Sequence, residues 1–362
     1  MRIEVMMEAL LNIVRLSNKY GANPDYVLAG GGNTSVKIEN ALYVKCSGTQ
    51  LKTIDTEGFV PVSRAALSKT MDKLYPLEDA LREAEFLSDV MAARSLPNET
   101  RRPSVEALLH NLFPQKYVLH LHPALVNGLT CSVQGKKAAE KLFGDEIIWI
   151  PVCKPGYLLA KRCAEKLKEH MQRFGRQAQI ALLENHGIFV AGDTLDEVDS
   201  LFSSVMKRLE AVVSAPGLTP VDMDEPVIGT RLKARLGMEY VRYGAFTGLL
   251  DFIKSKEAAK PLLSPFTPDH IVYCGAYPMY LEDLEDLEAL YPVTGKIVIV
   301  QDKGFYAFGD TQKAADTAAE LFIDAVKIAC YAGFFGGPLH MTKEMIDFIV
   351  NWEAESYRKS QA

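Results

Sequence analysis

The alternation of apolar and polar residues predicts a chain in which helices and strands interleave. Apolar residues recur at helical spacing over 1–16, where charged residues interrupt them. Short apolar runs bounded by turn residues predict two hairpins, one pairing 34–38 with 42–45 and the other pairing 179–183 with 188–191. Hairpins favour a mixed, largely antiparallel sheet within an α/β fold over a doubly wound parallel sheet.

The same periodicities predict the remaining elements of the first 215 residues. We expect the helix near residue 105 to have Pro103 at its first turn, with Ser104 near its start. The predicted helices lie at 65–74, 76–93, 105–112, 158–174 and 194–214, and the predicted strands lie at 117–121 and 147–152.

Three histidines and one glutamate form the most informative cluster of polar residues. His120 lies on the predicted strand 117–121 and His122 follows it by two residues, so in extended backbone both side chains face one side and can hold one ion. His186 follows an apolar strand at a tight turn, and Glu106 supplies a carboxylate. Three imidazoles and one displaceable carboxylate predict an open catalytic site for zinc or another divalent metal. The remaining histidines are interpreted as surface or packing residues: His110, His170, His270 and His340.

Length and local similarity predict two related halves. A chain of 362 residues suggests about two domains. We predict a metal-binding domain at 1–215, a linker rich in proline and acidic residues at 216–226, and a second domain at 227–362. Asn185–Thr194 resembles Asp302–Thr311, which predicts that the second half is a degenerate copy of the first without its metal ligands.

Composition and charge narrow the class of protein. Apolar residues make up 48% of the chain and charged residues 24%, as in a soluble protein with a substantial core. A net charge of −6 argues against a nucleic-acid partner. The six cysteines form no CxxC pair, and no apolar run reaches the length of a membrane span or signal peptide. We therefore expect a cytoplasmic protein with neither a membrane nor a nucleic-acid partner.

Two short segments are suited to binding an anion. Gly30–Ser35 offers flexible backbone, several N–H donors and small polar side chains within one turn. Ser47–Thr49 and Ser104 offer further donors, while Lys37 and Lys45 could supply positive charge. The loop lacks the Gly-Lys-Ser/Thr ending of a nucleotide-binding P-loop and is not a dinucleotide fingerprint.

The order of these motifs resembles the class II aldolase/adducin family over residues 5–215. That family includes fuculose-1-phosphate and rhamnulose-1-phosphate aldolases and ribulose-5-phosphate 4-epimerases, and it implies a three-layer α/β/α fold. The second half resembles a longer branch in which the aldolase module is often joined to a short-chain dehydrogenase. The segments that carry the resemblance are Gly32–Ser35, Ser47–Gly48, Pro103–Glu106, His120–Pro123 and Asn185–Gly187.

The resemblance implies a role for each candidate residue. His120, His122 and His186 would hold zinc, and Glu106 would be the general base that also contacts the metal. The substrate would be a ketose 1-phosphate, cleaved in a homo-oligomeric enzyme to dihydroxyacetone phosphate and an aldehyde through a metal-stabilised enediolate. The residues expected to hold the substrate phosphate are Gly32, Asn33, Ser47, Gly48 and Ser104.

One position favours an aldolase over its relatives, and two departures weaken the transfer of roles. Epimerases of the family have aspartate where this chain has Glu106. Aldolases commonly have a second serine where this chain has Val105. The tyrosine that serves as general acid in the fuculose-phosphate enzyme has no counterpart between His122 and Pro151. A sugar-phosphate 4-epimerase, a dehydratase and a non-catalytic adducin-like module remain alternatives.

Overall fold

A computed structural model describes residues 2–223, 226–283, 285 and 295–352. Within these ranges, no helix combines the length and apolar character needed to cross a membrane. The helices are α1 (Arg2–Gly21), α2 (Arg64–Thr70), α3 (Asp79–Ala92), α4 (Ala107–Leu112), α5 (Ala124–Thr130), α6 (Gly135–Phe143), α7 (Tyr157–Phe174), α8 (Leu195–Glu210), α9 (Pro226–Leu236), α10 (Thr247–Leu250), α11 (Lys256–Ala259), α12 (Pro268–Cys274), α13 (Gln312–Ala332) and α14 (Lys343–Asn351). The strands are β1 (Asn33–Ile38), β2 (Ala41–Lys45), β3 (Phe59–Ser63), β4 (Tyr117–Leu121), β5 (Ile147–Ile150), β6 (Ile180–Leu183), β7 (Gly187–Gly192), β8 (Tyr240–Gly244), β9 (Met279–Leu281), β10 (Ile297–Val300) and β11 (Gly304–Gly309).

The chain divides into two compact units. The first contains residues up to 123, then 139–208, and Trp352, while the second contains 124–138 and 209–351. The division lies near residue 208, whereas the sequence predicted that the first domain ends at residue 215. The division also assigns α5 to the second unit. Residues 224 and 225 of the predicted linker lie outside the described residues.

The first unit is built on a seven-stranded sheet in the order β3-β2-β1-β4-β7-β6-β5. Neighbouring strands are antiparallel except for β5 and β6, which are parallel. Side chains alternate across β1: Thr34 contacts Ser17 of α1 (Oγ1···Oγ 2.7 Å), whereas Ser35 contacts His110 of α4 (Oγ···Nδ1 2.8 Å). Helices thus cover both faces, and the predicted α/β/α fold with a largely antiparallel sheet is confirmed.

Most predicted elements of the first unit are confirmed, including both hairpins and the bounds of β4. The start of α4 is a correction, because the helix begins at Ala107 rather than at residue 105. Pro103 is instead paired with Cys46 in a β-bridge, and the Ser104 N–H donates to the Lys45 carbonyl (2.9 Å). These contacts with the end of β2 hold the segment extended, so Pro103 does not occupy a helical first turn.

The second unit contains a four-stranded sheet in the order β8-β11-β10-β9. The long helix α13 begins after Thr311, whose hydroxyl accepts the Ala314 N–H (3.1 Å). All seven residues of α5 are buried. Gly128 of α5 lies directly against Tyr331 of α13, with no room for a side chain. The close approach explains why α5 belongs to this unit although residues up to 123 and residues 139–208 do not.

The similarity between the two halves extends from sequence to strand pairing. In the first unit Leu183 pairs with Gly187 across an antiparallel hairpin, and in the second Val300 pairs with Gly304 in the same way. Asn185 and Asp302 occupy the same place in the two turns, with φ of 55° and 53°.

The neighbouring strands repeat as well. The order β4-β7-β6-β5 corresponds to β8-β11-β10-β9, and each set ends in one parallel pair. Four strands of the second unit therefore share the order and pairing of four strands of the first, and its origin as a degenerate copy stays a prediction.

Candidate metal and substrate site

The three predicted metal ligands meet at the ends of two central strands of the large sheet, β4 and β7. His120 is on β4, His122 lies one residue beyond the end of that strand, and His186 is in the turn between β6 and β7. Because β4 and β7 are neighbours, the ends of these elements lie side by side. Ligand nitrogens of the three rings all lie within 4.8 Å of one another. The three rings are therefore close enough together to hold one metal ion.

The protonation of His120 makes its site suitable for a cation. The ring Nδ1 lies 3.0 Å from the Ile188 carbonyl oxygen, which can only accept, so Nδ1 carries the proton and Nε2 a lone pair. Burial lowers the pKa of His120 well below its ordinary value, so the ring is neutral near pH 7. Its Nε2 lies 3.0 Å from Nε2 of His122. A neutral imidazole nitrogen with a lone pair, such as Nε2 of His120, is the type of donor that zinc and similar dications prefer.

Glu106 adds a carboxylate to these imidazoles. Its Oε2 lies 3.4 Å from His120 Nε2, and its Oε1 lies 3.4 Å from His186 Nε2. Oε1 is buried and accepts no hydrogen bond, which is costly unless another partner occupies the space. Burial raises the pKa of Glu106, but His120, His186 and the Asn33 amide outweigh it and lower the pKa to about 2. An ionised carboxylate and three imidazoles fit a divalent metal.

Asn33 and Ser104 surround the other carboxylate oxygen. The pairing of β1 with β4 places Asn33 opposite His120. Asn33 Nδ2 donates to Glu106 Oε2 (2.6 Å) and to Ser104 Oγ (3.2 Å), and the Glu106 N–H also donates to Ser104 Oγ (3.2 Å). Ser104 Oγ therefore accepts twice and keeps its own proton to donate, which suits contact with an anion.

The glycine-rich segments lie close to these residues. Gly32 adopts φ of +62°, and a Cβ there would come within 2.9 Å of the His120 carbonyl oxygen. Gly48 adopts φ of +85°, and the Ser47 N–H donates to the Arg102 carbonyl (2.8 Å). The five residues predicted to hold phosphate thus come from neighbouring segments beside Glu106.

The two lysines considered for this site have different positions. Lys45 Nζ donates to the Gly30 and Thr49 carbonyls (3.3 and 2.5 Å), so its ammonium group ties the two glycine-containing loops together. Lys37 is on the far end of β1 and donates to the Gln115 carbonyl (2.8 Å). Burial lowers the pKa of Lys37 to about 7. Of the two, Lys45 supplies charge at the loops.

The contacts of His110 were missed by the sequence prediction, which took it for a surface or packing residue. The residue is fully buried on α4, and its ring contacts Ser35 through Nδ1 and Asn33 through Nε2. It lies four residues after Glu106, hence on the same side of the helix, and this spacing is the signal that could have identified it.

The other histidines have packing partners. His170 contacts the Arg176 and Asp145 carbonyls (3.0 and 2.9 Å), and His270 lies 3.3 Å from Asp324. The ring of His340 stacks on Phe266, with 4.6 Å between centroids.

Comparison with known proteins decides the family. Residues 12–212, more than half of the chain, match the model of the class II aldolase and adducin N-terminal domain. The chain belongs to this family. The family resemblance predicted from the motifs is confirmed, and the matched segment includes every candidate residue of the site.

Individual relatives cover only part of this class II aldolase/adducin chain. A protein named uncharacterized oxidoreductase YuxG, from Bacillus subtilis, is 26% identical over 303 residues, which span 75% of this chain and 42% of the relative. The N-terminal class II aldolase domain of a Thermoplasma acidophilum protein is 29% identical and covers 56% of this chain and 92% of that one (TM-score 0.47). L-Fuculose-1-phosphate aldolase from Thermus thermophilus is 13% identical and covers 55% and 91% (TM-score 0.34).

Proposed function

We propose that this protein is a lyase, a divalent-metal-dependent aldolase that cleaves a ketose 1-phosphate into dihydroxyacetone phosphate and an aldehyde. The observation that carries the proposal is the buried, ionised Glu106 carboxylate lying 3.4 Å from the ring nitrogens of both His120 and His186. A base next to a cation site is the arrangement that proton transfer beside a carbonyl requires. Membership of the class II aldolase/adducin family supports the same reaction class.

His120, His122 and His186 would hold the metal, for which zinc is the first candidate. When bound, the dication would stabilise negative charge on the ketone and hydroxyl oxygens of the substrate. In the cleavage direction the substrate hydroxyl passes its proton to the ionised Glu106 carboxylate, the carbon–carbon bond breaks with its electron pair passing to the enediolate of dihydroxyacetone phosphate, and the aldehyde leaves. Glu106 then delivers a proton to the enediolate carbon, and in the synthetic direction it removes that proton.

The substrate phosphate would lie against the segments that carry Gly32, Asn33, Ser47, Gly48 and Ser104. The Ser104 hydroxyl has a proton left to donate, and the Lys45 ammonium group holds the two loops in place. Such contacts orient the reacting carbon without taking part in bond breaking.

The test is release of dihydroxyacetone phosphate from rhamnulose 1-phosphate, fuculose 1-phosphate and related ketose 1-phosphates. We expect Glu106→Gln to lower turnover about 10²-fold or more, because the amide cannot exchange the proton, while bound metal measured on the purified protein is largely retained. Glu146→Gln is the control, since that carboxylate pairs with Arg208 on the surface (2.8 Å). Wild-type turnover by Glu106→Gln would refute its role as the base.

The alternatives give different products or none. An epimerase or a dehydratase would change the sugar phosphate without releasing a triose phosphate, so analysis of the products separates these reactions from aldol cleavage. A non-catalytic adducin-like module would contain no stoichiometric metal. The name oxidoreductase describes a relative, and this chain spans only 42% of that relative's length.

A further inference from the structure

The hydrogen bonds around Glu106 form a chain whose direction can be assigned. Asn33 Nδ2 lies within hydrogen-bond distance of two oxygens, Glu106 Oε2 and Ser104 Oγ, and donates a proton to each. Asn33 Oδ1 is therefore the atom that faces His110 Nε2, and a carbonyl oxygen can only accept. It follows that His110 Nε2 carries a proton.

The other ring nitrogen of His110 completes the chain. Burial lowers the pKa of His110 to about 3, so the ring is neutral and holds one proton. With that proton on Nε2, Nδ1 has a lone pair and accepts the Ser35 hydroxyl proton (2.8 Å). Protons thus point from Ser35 to His110, from His110 to Asn33, and from Asn33 to Glu106.

The geometry points to a positioning role for His110, an inference that rests on the proposed function. We propose that His110, through the Asn33 amide, holds the Glu106 carboxylate in the orientation needed for proton transfer. Without a donor at Oδ1 the Asn33 amide can turn over, and its oxygen would then face the Glu106 carboxylate. The Asn33 amide donates its two protons to Ser104 Oγ and Glu106 Oε2. The Asn33 side chain therefore positions the base and does not donate to the substrate phosphate.

Exchange of a dihydroxyacetone phosphate proton with deuterium from heavy water reports the action of Glu106 without an aldehyde. His110→Phe keeps a ring next to Phe189 (5.2 Å between centroids) but removes the donor, whereas the amide of His110→Gln can still donate to Asn33. We expect His110→Phe to slow proton exchange about 10- to 100-fold with bound metal unchanged. His110→Gln should keep most of the wild-type rate.

His170→Phe is the matched control, because His170 is also buried and hydrogen-bonded through both ring nitrogens but has backbone carbonyls as partners. It should lower the melting temperature and leave exchange unchanged. Equal slowing by His110→Phe and His110→Gln would overturn the positioning role, as would wild-type exchange in His110→Phe. A wild-type protein that binds metal but exchanges no proton would instead defeat the proposed aldolase reaction itself.

A spectroscopic measurement tests the same chain independently of activity and of the fold of the Phe variant. Nitrogen-15 NMR of the wild-type histidine rings should show His110 protonated on Nε2. Ser35→Ala, which removes the donor to Nδ1, should increase the share of the other tautomer and slow proton exchange less than His110→Phe does. A proton on Nδ1 of His110 in the wild type would contradict the assigned direction and the proposal with it.

Discussion

At the scale of single residues, the charge of Glu106 depends on its neighbours rather than on water. The carboxyl group is buried, which by itself favours the neutral acid. Two imidazoles and the Asn33 amide reverse that preference. The adjacent His120 is neutral for the opposite reason, since burial there outweighs the nearby carboxylate. Burial and specific partners together produce an ionised carboxylate beside a neutral His120 ring.

A second carboxylate of the first unit makes stability dependent on pH. The Arg101 side chain pairs with Glu99 and lowers its pKa from 4.5 to about 2, below the value expected in the unfolded chain. The stabilisation is therefore complete above pH 4.5 and is lost as the pH falls towards 2. Because the Arg101 side chain is 35% exposed, we expect Glu99→Gln to lower the free energy of unfolding by only about 1–2 kcal/mol at pH 7. Urea denaturation at pH 7, 5 and 4 should show this difference shrink at pH 4, and a constant difference would contradict the assignment.

At the scale of elements, the turn between β6 and β7 holds His186 and also limits the space for His122. Asn185 occupies the left-handed region that the turn requires, a conformation that asparagine adopts more readily than most residues. A Cβ on Gly187 would collide with the Leu121 carbonyl oxygen and come within 2.8 Å of the His122 ring. The lack of a side chain at Gly187 thus lets β4 and β7 approach and the ligands converge.

Gly187→Ala should therefore weaken metal binding as well as folding. We expect metal affinity to fall about tenfold or more, with a loss of about 1–3 kcal/mol in the free energy of unfolding. Gly304→Ala is the counterpart in the second unit, where a Cβ would meet the Gly244 carbonyl oxygen at 2.7 Å. It should destabilise the protein and leave metal affinity unchanged. Equal metal affinity in both variants, measured by competition with a chelator, would refute this account of the turn.

At the scale of the whole molecule, the two units share a strand pattern but not its chemistry. His120 lies opposite Phe189, and in the second unit Tyr243 lies opposite Tyr306 at the corresponding positions. Ala245 and Lys303 then correspond to His122 and His186. Tyrosine, alanine and an ammonium group do not form a zinc site.

Because these positions of the second unit carry no zinc ligands, we expect one metal ion per chain rather than two. Elemental analysis of the purified protein should give one equivalent of a divalent metal, and His186→Ala should abolish it. Two equivalents in the wild type, or one that persists without His186, would place a metal elsewhere.

The assignment of α5 to the second unit predicts that the first 215 residues do not form an independent protein. A chain ending at residue 215 would contain α5 without α13, leaving seven buried residues exposed. We expect this fragment to aggregate, whereas the full chain elutes in size-exclusion chromatography as a single defined species. A soluble fragment with wild-type metal content would show that α5 does not need its partner.

Much of the fold and the metal ligands could be predicted from local sequence. Periodicity of apolar residues located the helices and strands of the first unit because side-chain direction repeats every few residues. The two-residue spacing of His120 and His122 predicted for the same reason that both rings face one side. The error at Pro103 has a different cause. Pro103 was assigned to a helix because its contact with Cys46, 57 positions earlier, is not visible in the local pattern.

The sequence by itself determined the elements, the histidine pair and the duplicated turn, since each depends on residues close together in the chain. Only the tertiary structure decided that Asn33 lies across from His120, that His110 reaches Asn33, and that α5 joins the second unit. Those contacts depend on strand register and helix packing between segments far apart in sequence. Register and packing are set by burial of the whole core, and local preferences do not contain that information.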